Sequence, residues 1–241
     1  MIAVDVGNTI LHFTWIAQGK IIKTRQLATG KANREAIKRI IGKDINQPIL
    51  ACSVVPHITR VFKNIKRKIY IIGKDIKIPL KCFYDKRHVG IDRLVGAYAA
   101  KTLYPESRII IDFGTAITFD FLSKRGDYQG GFILPGIGST LRVLSSCALL
   151  PDKIILRKSK TLIPKDTRES INRGIAEGFS VMLNALVKKY KRILKLSAKD
   201  KVVITGGDAK FILPKIEFSY QYEPFLVIKG MVILAKKFSP Q

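Results

Sequence analysis

Three carboxylates set among small residues are the side chains of this 241-residue sequence best suited to chemistry. Asp5 and Asp112 each follow an apolar run and open a turn of the form Asp-x-Gly with hydroxyl residues behind it. The first turn holds Asp5, Gly7, Asn8 and Thr9; the second holds Asp112, Gly114, Thr115 and Thr118. Glycine-rich turns present backbone N–H groups to phosphate oxygens at close range. Mg²⁺ takes oxygen ligands and keeps several waters, so one or two carboxylates suffice to hold it. The two turns are therefore expected to belong to related half-domains that face one polyphosphate. Asp92, in Gly90-Ile91-Asp92-Arg93, opens a helix, where unpaired N–H groups favour an anion. It is either an ordinary capping carboxylate or a base placed to accept an alcohol proton. Gly206 and Gly207 end an apolar run and would let a flat base or ribose lie against backbone. There is no Walker sequence and no kinase catalytic loop, and His12, His57 and His88 lack metal-ligand spacing.

The elements that must position these groups follow an α/β pattern. Residues 2–4 and 10–13 read as strands around the first turn, with a third strand over 20–26. Residues 33–41 have helical spacing, with Ala36, Ile37, Ile40 and Ile41 on one face and Gly42 as the stop. A buried strand over 48–55 ends at Pro56, a basic amphipathic helix covers 58–66, and a short strand covers 69–72. The helix opened at Gly90 runs to about Leu103, and Pro105 marks a boundary between halves 1–105 and 106–241. The second half restarts with IIIDFGTAITFDF at 109–121, the echo of the N-terminal turn. Gly130, Gly131, Pro135 and Gly136 then place main chain where side chains would obstruct a ligand, although a bulged strand explains them equally. A helix over 141–150 carries Cys147, expected to be a buried structural thiol. Asp166 and Glu169 have capping-box spacing before a helix to about Leu194. On it Gly174 and Gly178 sit four apart, suited either to core packing or to a subunit interface. A strand over 202–205 reaches the Gly206 pair, a last strand covers 222–227, and a helix over 230–238 closes the chain.

Composition narrows the class. The chain is 47% hydrophobic with 25% charged residues, and three widely spaced cysteines, Cys52, Cys82 and Cys147, fit neither a disulfide framework nor a zinc site. The uncharged stretch 128–141 contains four glycines and a proline and is too short to span a bilayer. The start MIAVDVGNT lacks a basic n-region, so no signal peptide is expected and the location expected is the cytoplasm. A net charge of +25 can mark a nucleic-acid binder. Here the basic residues are scattered, the densest run being KNIKRK at 63–68, so a solvated surface that attracts anions is expected and nucleic acid is not.

DVGNT at 5–9, GIDR at 90–93, DFGTAIT at 112–118, GGFILPG at 130–136, DTRESINRG at 166–174 and TGG at 205–207 resemble, in order and spacing, the motif series of type III pantothenate kinases. These belong to the actin, sugar kinase and Hsp70 superfamily. The resemblance covers nearly the whole chain and implies duplicated ribonuclease H-like (actin-like ATPase) domains, each a mixed sheet flanked by helices. It implies a homodimeric enzyme that transfers the γ-phosphate of ATP to the 4′-hydroxyl of pantothenate, the first step towards coenzyme A. By motif position, Asp5 would help hold Mg²⁺ while Gly7, Asn8 and Thr9 cradle phosphate. Asp92 would be the general base, with Gly90 and Arg93 on pantothenate. Asp112 would organise the metal and a monovalent cation (K⁺ or NH₄⁺), with Gly114, Thr115 and Thr118 around the phosphates. Thr167 would reach pantothenate across the dimer, Gly206 and Gly207 would border the nucleotide, and Tyr84 would wall the pantothenate pocket.

The sequence departs from the family pattern in three places. Ile91 stands where the family usually has Ala, the stretch YDKRHVG lacks an Asn-Pro, and Cys147 and Leu149 replace Thr and Lys. Another small-alcohol kinase of the superfamily, or a regulator using the same fold, are the rival readings. Retention of Asp5, Asp92 and Asp112 together favours an enzyme, and GIDR with DTRESINRG favours pantothenate as acceptor.

Overall fold

The computed structural model describes residues 1–42, 47–85, 88–147, 151, 156–157 and 161–238. The first sheet is built from β1 (Ile2–Val6), β2 (Ile10–Ala17), β3 (Lys20–Ala28), β4 (Ile49–Ser53) and β5 (Ile69–Ile71), with α1 (Arg34–Ile41) and α2 (Pro56–Lys63) in the connections. After α3 (Ile91–Leu103) come β6 (Ser107–Phe113), β7 (Ala116–Leu122), β8 (Tyr128–Pro135), α4 (Ile137–Ser145), α5 (Thr167–Ile193), β9 (Lys201–Thr205), α6 (Ala209–Ile212), β10 (Tyr220–Tyr222) and α7 (Leu226–Phe238).

The sheets run β3-β2-β1-β4-β5 and β10-β9-β6-β7-β8. Read from its far edge, the second sheet repeats the first. In each, an antiparallel hairpin carries the Asp-x-Gly turn, and the hairpin's first strand pairs in parallel with a later strand. Even the register repeats: Asp5 stands opposite Cys52, and Asp112 opposite Thr205. The expected duplication is thus present as topology, and the fold is α/β with two mixed sheets flanked by helices.

The chain divides into two compact units. Unit 1 is Met1–Pro105 with Leu122–Gly130 and Phe225–Gln241; unit 2 is Glu106–Phe121 with Gly131–Pro224. Unit 2 begins where Pro105 was expected to divide the chain, but the closing segment packs with unit 1 rather than with the 106–241 half. The cause is visible on α7, whose Leu226, Met231 and Leu234 are fully buried. A Cβ on its Gly230 would lie 2.7 Å from Val95 O and 3.0 Å from Ala99 Cβ on α3, so the two helices cross almost backbone to backbone. Alternation along β1 and β4 sends Ile2, Val4, Val6 and Ile49 towards Ile37, Ile58 and Phe62 of α1 and α2. The opposite face, with Asp5 and Cys52, is the one that α3 and α7 cover.

Several elements differ from expectation. Pro56 does not simply end a strand; it occupies the first turn of α2, where its missing N–H costs nothing. α4 starts at Ile137, earlier than the expected 141, because Gly136 serves as its cap. Cys147 lies beyond that helix and is exposed, not a buried structural thiol; residues 148–150 of the expected helix, with Leu149, lie outside the described residues. The strand expected over 222–227 is Tyr220–Tyr222, and Leu226 already begins α7, expected only from 230. Among the described residues no helix is long and apolar enough to cross a membrane.

Candidate active site

In unit 1 three groups of the β1/β4 ends and α3 come together. Asp5 ends β1 beside Cys52, a thiol with no exposed surface. Burial pushes that thiol well up from its ordinary value, and the charges of Asp5 and then Asp92 push it the same way, which places both carboxylates within electrostatic reach of one buried sulfur. Cys52 is therefore held protonated and inert. Asp92 lies in the first turn of α3, but the cap position is occupied by Gly90. The Asp92 carboxylate folds back over that glycine, where a Cβ would be 2.5 Å from Oδ1, and accepts the Arg93 N–H at 2.8 Å. A side chain at 90 would push the carboxylate out of this position. Burial raises the Asp92 carboxyl, while the backbone and guanidinium of Arg93 pull it down. A carboxylate moved towards neutrality in this way is suited to proton transfer at physiological pH.

The turn after Asp5 is closed by Gly7 N–H to Ile10 O at 3.1 Å, and Thr29 anchors it by donating its hydroxyl to Gly7 O at 2.7 Å. Thr29 N–H also bonds Thr9 O at 2.9 Å, while Asn8 projects exposed from the turn. Tyr84 packs its ring over Gly130, whose φ of +115° admits few other residues; a Cβ there would be 3.3 Å from the ring. Lys86 and Arg87, from the altered stretch before Gly90, lie outside the described residues.

In unit 2 three turns are pressed together around Asp112. A Cβ on Gly206, at φ +92°, would collide with Phe113 O and come within 2.6 Å of Asp112 Oδ1. One on Gly136 would collide with Gly114 O and Thr115 O, and Gly136 N–H bonds Thr115 O at 3.1 Å. The Asp112 carboxylate and the neighbouring carbonyls make an oxygen-rich spot of the kind that hard cations occupy. Thr118 stands opposite Asp112 across the hairpin and donates its hydroxyl to Asp120 Oδ2 at 3.2 Å. Gly207 is exposed, with nothing within 4 Å of a Cβ built on it.

Thr167 belongs to the long-helix region. It opens α5, capped as its spacing predicts by Asp166, which accepts Glu169 N–H at 3.0 Å. Thr167, Ser170 and Gly174 line an open hollow of about 690 Å³ whose floor is Leu144, Ile171 and Ile175. Among the described residues no atom beyond the helix's own backbone lies within 4 Å of a Cβ built on Gly174 or Gly178, so core packing with those residues does not account for them.

Residues 1–189 match the family model described as type III pantothenate kinase. The chain belongs to that family. It is 34% identical to the type III pantothenate kinase of Persephonella marina over 96% of each chain. It is 33% identical to that of a Sulfurihydrogenibium species over 98% of this chain and 99% of the other. Among solved structures it is similar to a Campylobacter jejuni protein assigned to the Baf family of transcriptional activators, at TM-score 0.65 and 24% identity, each chain covered to 98%. It also matches MreB 5 of Spiroplasma citri, at TM-score 0.53 and 12% identity over 98% of this chain and 96% of the other. At those identities the structures speak to the actin-like fold alone.

Of the pantothenate kinase motifs, DVGNT and GIDR lie in unit 1 and DFGTAIT, DTRESINRG and TGG in unit 2, while GGFILPG is divided after Gly130. Sequence reasoning missed Cys52, Ser139, Arg142 and Asp208. Asp208 directly follows the glycine pair, and its carboxyl is raised by burial against the pull of the Gly138 N–H. Its signal was proximity in sequence to Gly207; Ser139 and Arg142 had only their i, i+3 spacing after Gly136.

Proposed function

We propose that this protein phosphorylates pantothenate on its 4′-hydroxyl with ATP, the entry step to coenzyme A. The reading is carried by Asp92: a carboxylate desolvated enough to be a base, held over Gly90 in the GIDR motif and sharing its neighbourhood with Asp5. Phosphoryl transfer asks mainly for positioning and neutralisation of charge, and the residues divide along those lines. Asp92 would take the hydroxyl proton, while Gly90, Arg93 and Tyr84 would hold the acceptor. The turns at Gly7, Asn8 and Thr9 and at Gly114 and Thr115, closed by their own Gly7 and Gly114 N–H groups, would cradle phosphate oxygens, with Gly206 and Gly207 bordering the nucleoside. A Mg²⁺ accompanying the nucleotide needs only one or two carboxylates together with phosphate and water. Asp5 in unit 1 and Asp112 in unit 2 are each a candidate metal ligand, and the oxygens around Asp112 suit a monovalent cation such as K⁺ or NH₄⁺. Bound, such ions would neutralise charge developing on the transferred phosphoryl group.

We also propose a homodimer formed through α5. The open glycines Gly174 and Gly178 are joined on that helix by Val181, 63% exposed, and the nearby Leu162 and Ile163 are each 79% exposed. Such apolar exposure on a soluble chain marks a contact surface, and Thr167 at its end would then meet the partner's pantothenate.

The test is incubation of purified protein with ATP, Mg²⁺, K⁺ and pantothenate, with mass spectrometry for phosphopantothenate and single omissions of each component. Product that requires ATP, Mg²⁺ and pantothenate supports the reading. ATP consumed only with a different alcohol would move the protein to another acceptor class.

A further inference from the structure

Arg142 lies one turn into α4, on the same unit as the Asp112 turn. Its Nη2 donates to Ser139 Oγ at 2.9 Å, and Ser139 Oγ donates to Thr115 O at 2.6 Å. A single hydroxyl therefore links the guanidinium to the turn expected to bind phosphate. A Cβ placed on Gly138 would lie 3.9 Å from both Arg142 Nη1 and Asp208 Oδ2. The two charged groups flank that glycine, and among the described residues Arg142 forms no ion pair.

The chemistry of this corner is one-sided without that arginine. The Asp112 and Asp208 carboxylates bring negative charge here, while the carbonyls of Phe113 and Thr115 already accept the N–H groups of Asp208 and Gly136, so a polyphosphate is repelled less where cationic charge stands beside them. A guanidinium whose one bond goes to a neutral hydroxyl retains its full charge and most of its five donors. Its planar fork matches phosphate oxygens, and hydrogen bonds between ionised partners are about twice as strong as neutral ones. The Ser139 bond also limits the side chain's freedom, which lowers the ordering cost of using it.

We infer that Arg142 contacts a phosphate of the bound nucleotide, beside the Gly114-Thr115 turn. The inference rests on unit 2 being the nucleotide half, and it is independent of which alcohol accepts the phosphate.

The experiment compares binding of ATP and of adenosine, by calorimetry, to the wild-type protein and to Arg142→Ala and Arg142→Lys, with thermal melts confirming that each variant is folded. ATP affinity is expected to fall about tenfold or more in Arg142→Ala and to recover in part in Arg142→Lys, while adenosine affinity stays within about twofold. In turnover, KM for ATP should rise with KM for the acceptor unchanged. Equal losses for ATP and adenosine, or an ATP affinity within about twofold of wild type, would overturn the assignment. A wild-type protein that binds ATP yet gives no phosphopantothenate defeats the acceptor reading alone, and the binding comparison still decides Arg142. A wild-type protein that does not bind ATP defeats both.

Discussion

Asp92 concentrates at one residue the tension between folding and activity. Its carboxyl is raised mainly by burial, so the folded state holds the proton more tightly than the unfolded chain does. Such a group favours folding below the ordinary Asp range and opposes it as pH rises through the window between the unfolded and folded values. At neutral pH its charge is carried at a cost to stability. Asp92→Asn removes the charge while keeping the shape, and it is expected to melt at the wild-type temperature or higher at pH 7. Phosphoryl transfer should meanwhile fall by about 10²- to 10⁴-fold. A melting temperature several degrees below wild type would show that the carboxylate is a structural element instead. The wild-type pH–rate profile carries the same sign: activity is lost on acidification through a value above the ordinary Asp range. Were the acid limb to sit at or below that range, the base would have to be another group. The glycine turns around Asp5 and Asp112 were legible because Asp-x-Gly recurs with hydroxyls at similar offsets. Ser139, Arg142 and Asp208 were not, since their relevance comes from contacts between turns far apart in sequence.

At the scale of elements, two glycines on helices have opposite roles. Gly230 on α7 meets Val95 O and Ala99 Cβ of α3, whereas among the described residues nothing lies within 4 Å of a Cβ built on Gly174 of α5. Gly230→Ala should therefore force the α3–α7 crossing apart and cost about 1–3 kcal/mol. Gly174→Ala should stabilise the protomer by about 0.5–1 kcal/mol through helix propensity alone. Denaturant titration checks the pair, with Gly174→Ala made on the monomeric Val181→Arg background because the assembled protein is expected to cover this face; loss of stability on that background would mean that the face packs within its own protomer. The covering expected is a second copy, so Val181→Arg is expected to shift sedimentation from dimer to monomer while leaving the protomer folded. α5 itself was legible from its Asp166 cap and its apolar spacing. α7 was not, because residues 225–228 form an unbroken apolar run that fits a buried strand as well as a buried helix. Here α7's packing on α3 made the choice, and with it the closing segment joined unit 1. The strand order was also out of reach of the sequence, which announced two hairpins but not the parallel pairings of β1 with β4 and β6 with β9.

The whole molecule carries a net charge of +25, and its effect should be sought in rates rather than in the fold. Many of the cations are exposed and dispersed: Lys38 and Arg39 on α1, Arg60 and Lys63 on α2, Lys188 and Lys189 on α5. Dispersed charge of one sign produces a long-range field that draws anions to the molecule without binding any of them tightly, and ATP and pantothenate are both anions. That field is screened with a Debye length of about 10 Å at 0.1 M salt. Raising ionic strength from about 20 to about 300 mM should therefore lower kcat/KM for ATP severalfold while leaving kcat nearly constant, because the chemical step works on substrate already bound. A nucleic-acid surface predicts something different: duplex DNA affinity with a steep logarithmic salt slope, proportional to the phosphates neutralised. Stopped-flow or steady-state kinetics across the salt series, with a DNA-binding titration at each salt concentration, separates the two. A flat kcat/KM would mean that the positive surface does not steer substrate. A steep DNA slope with nanomolar affinity at physiological salt would give the basic surface a second function.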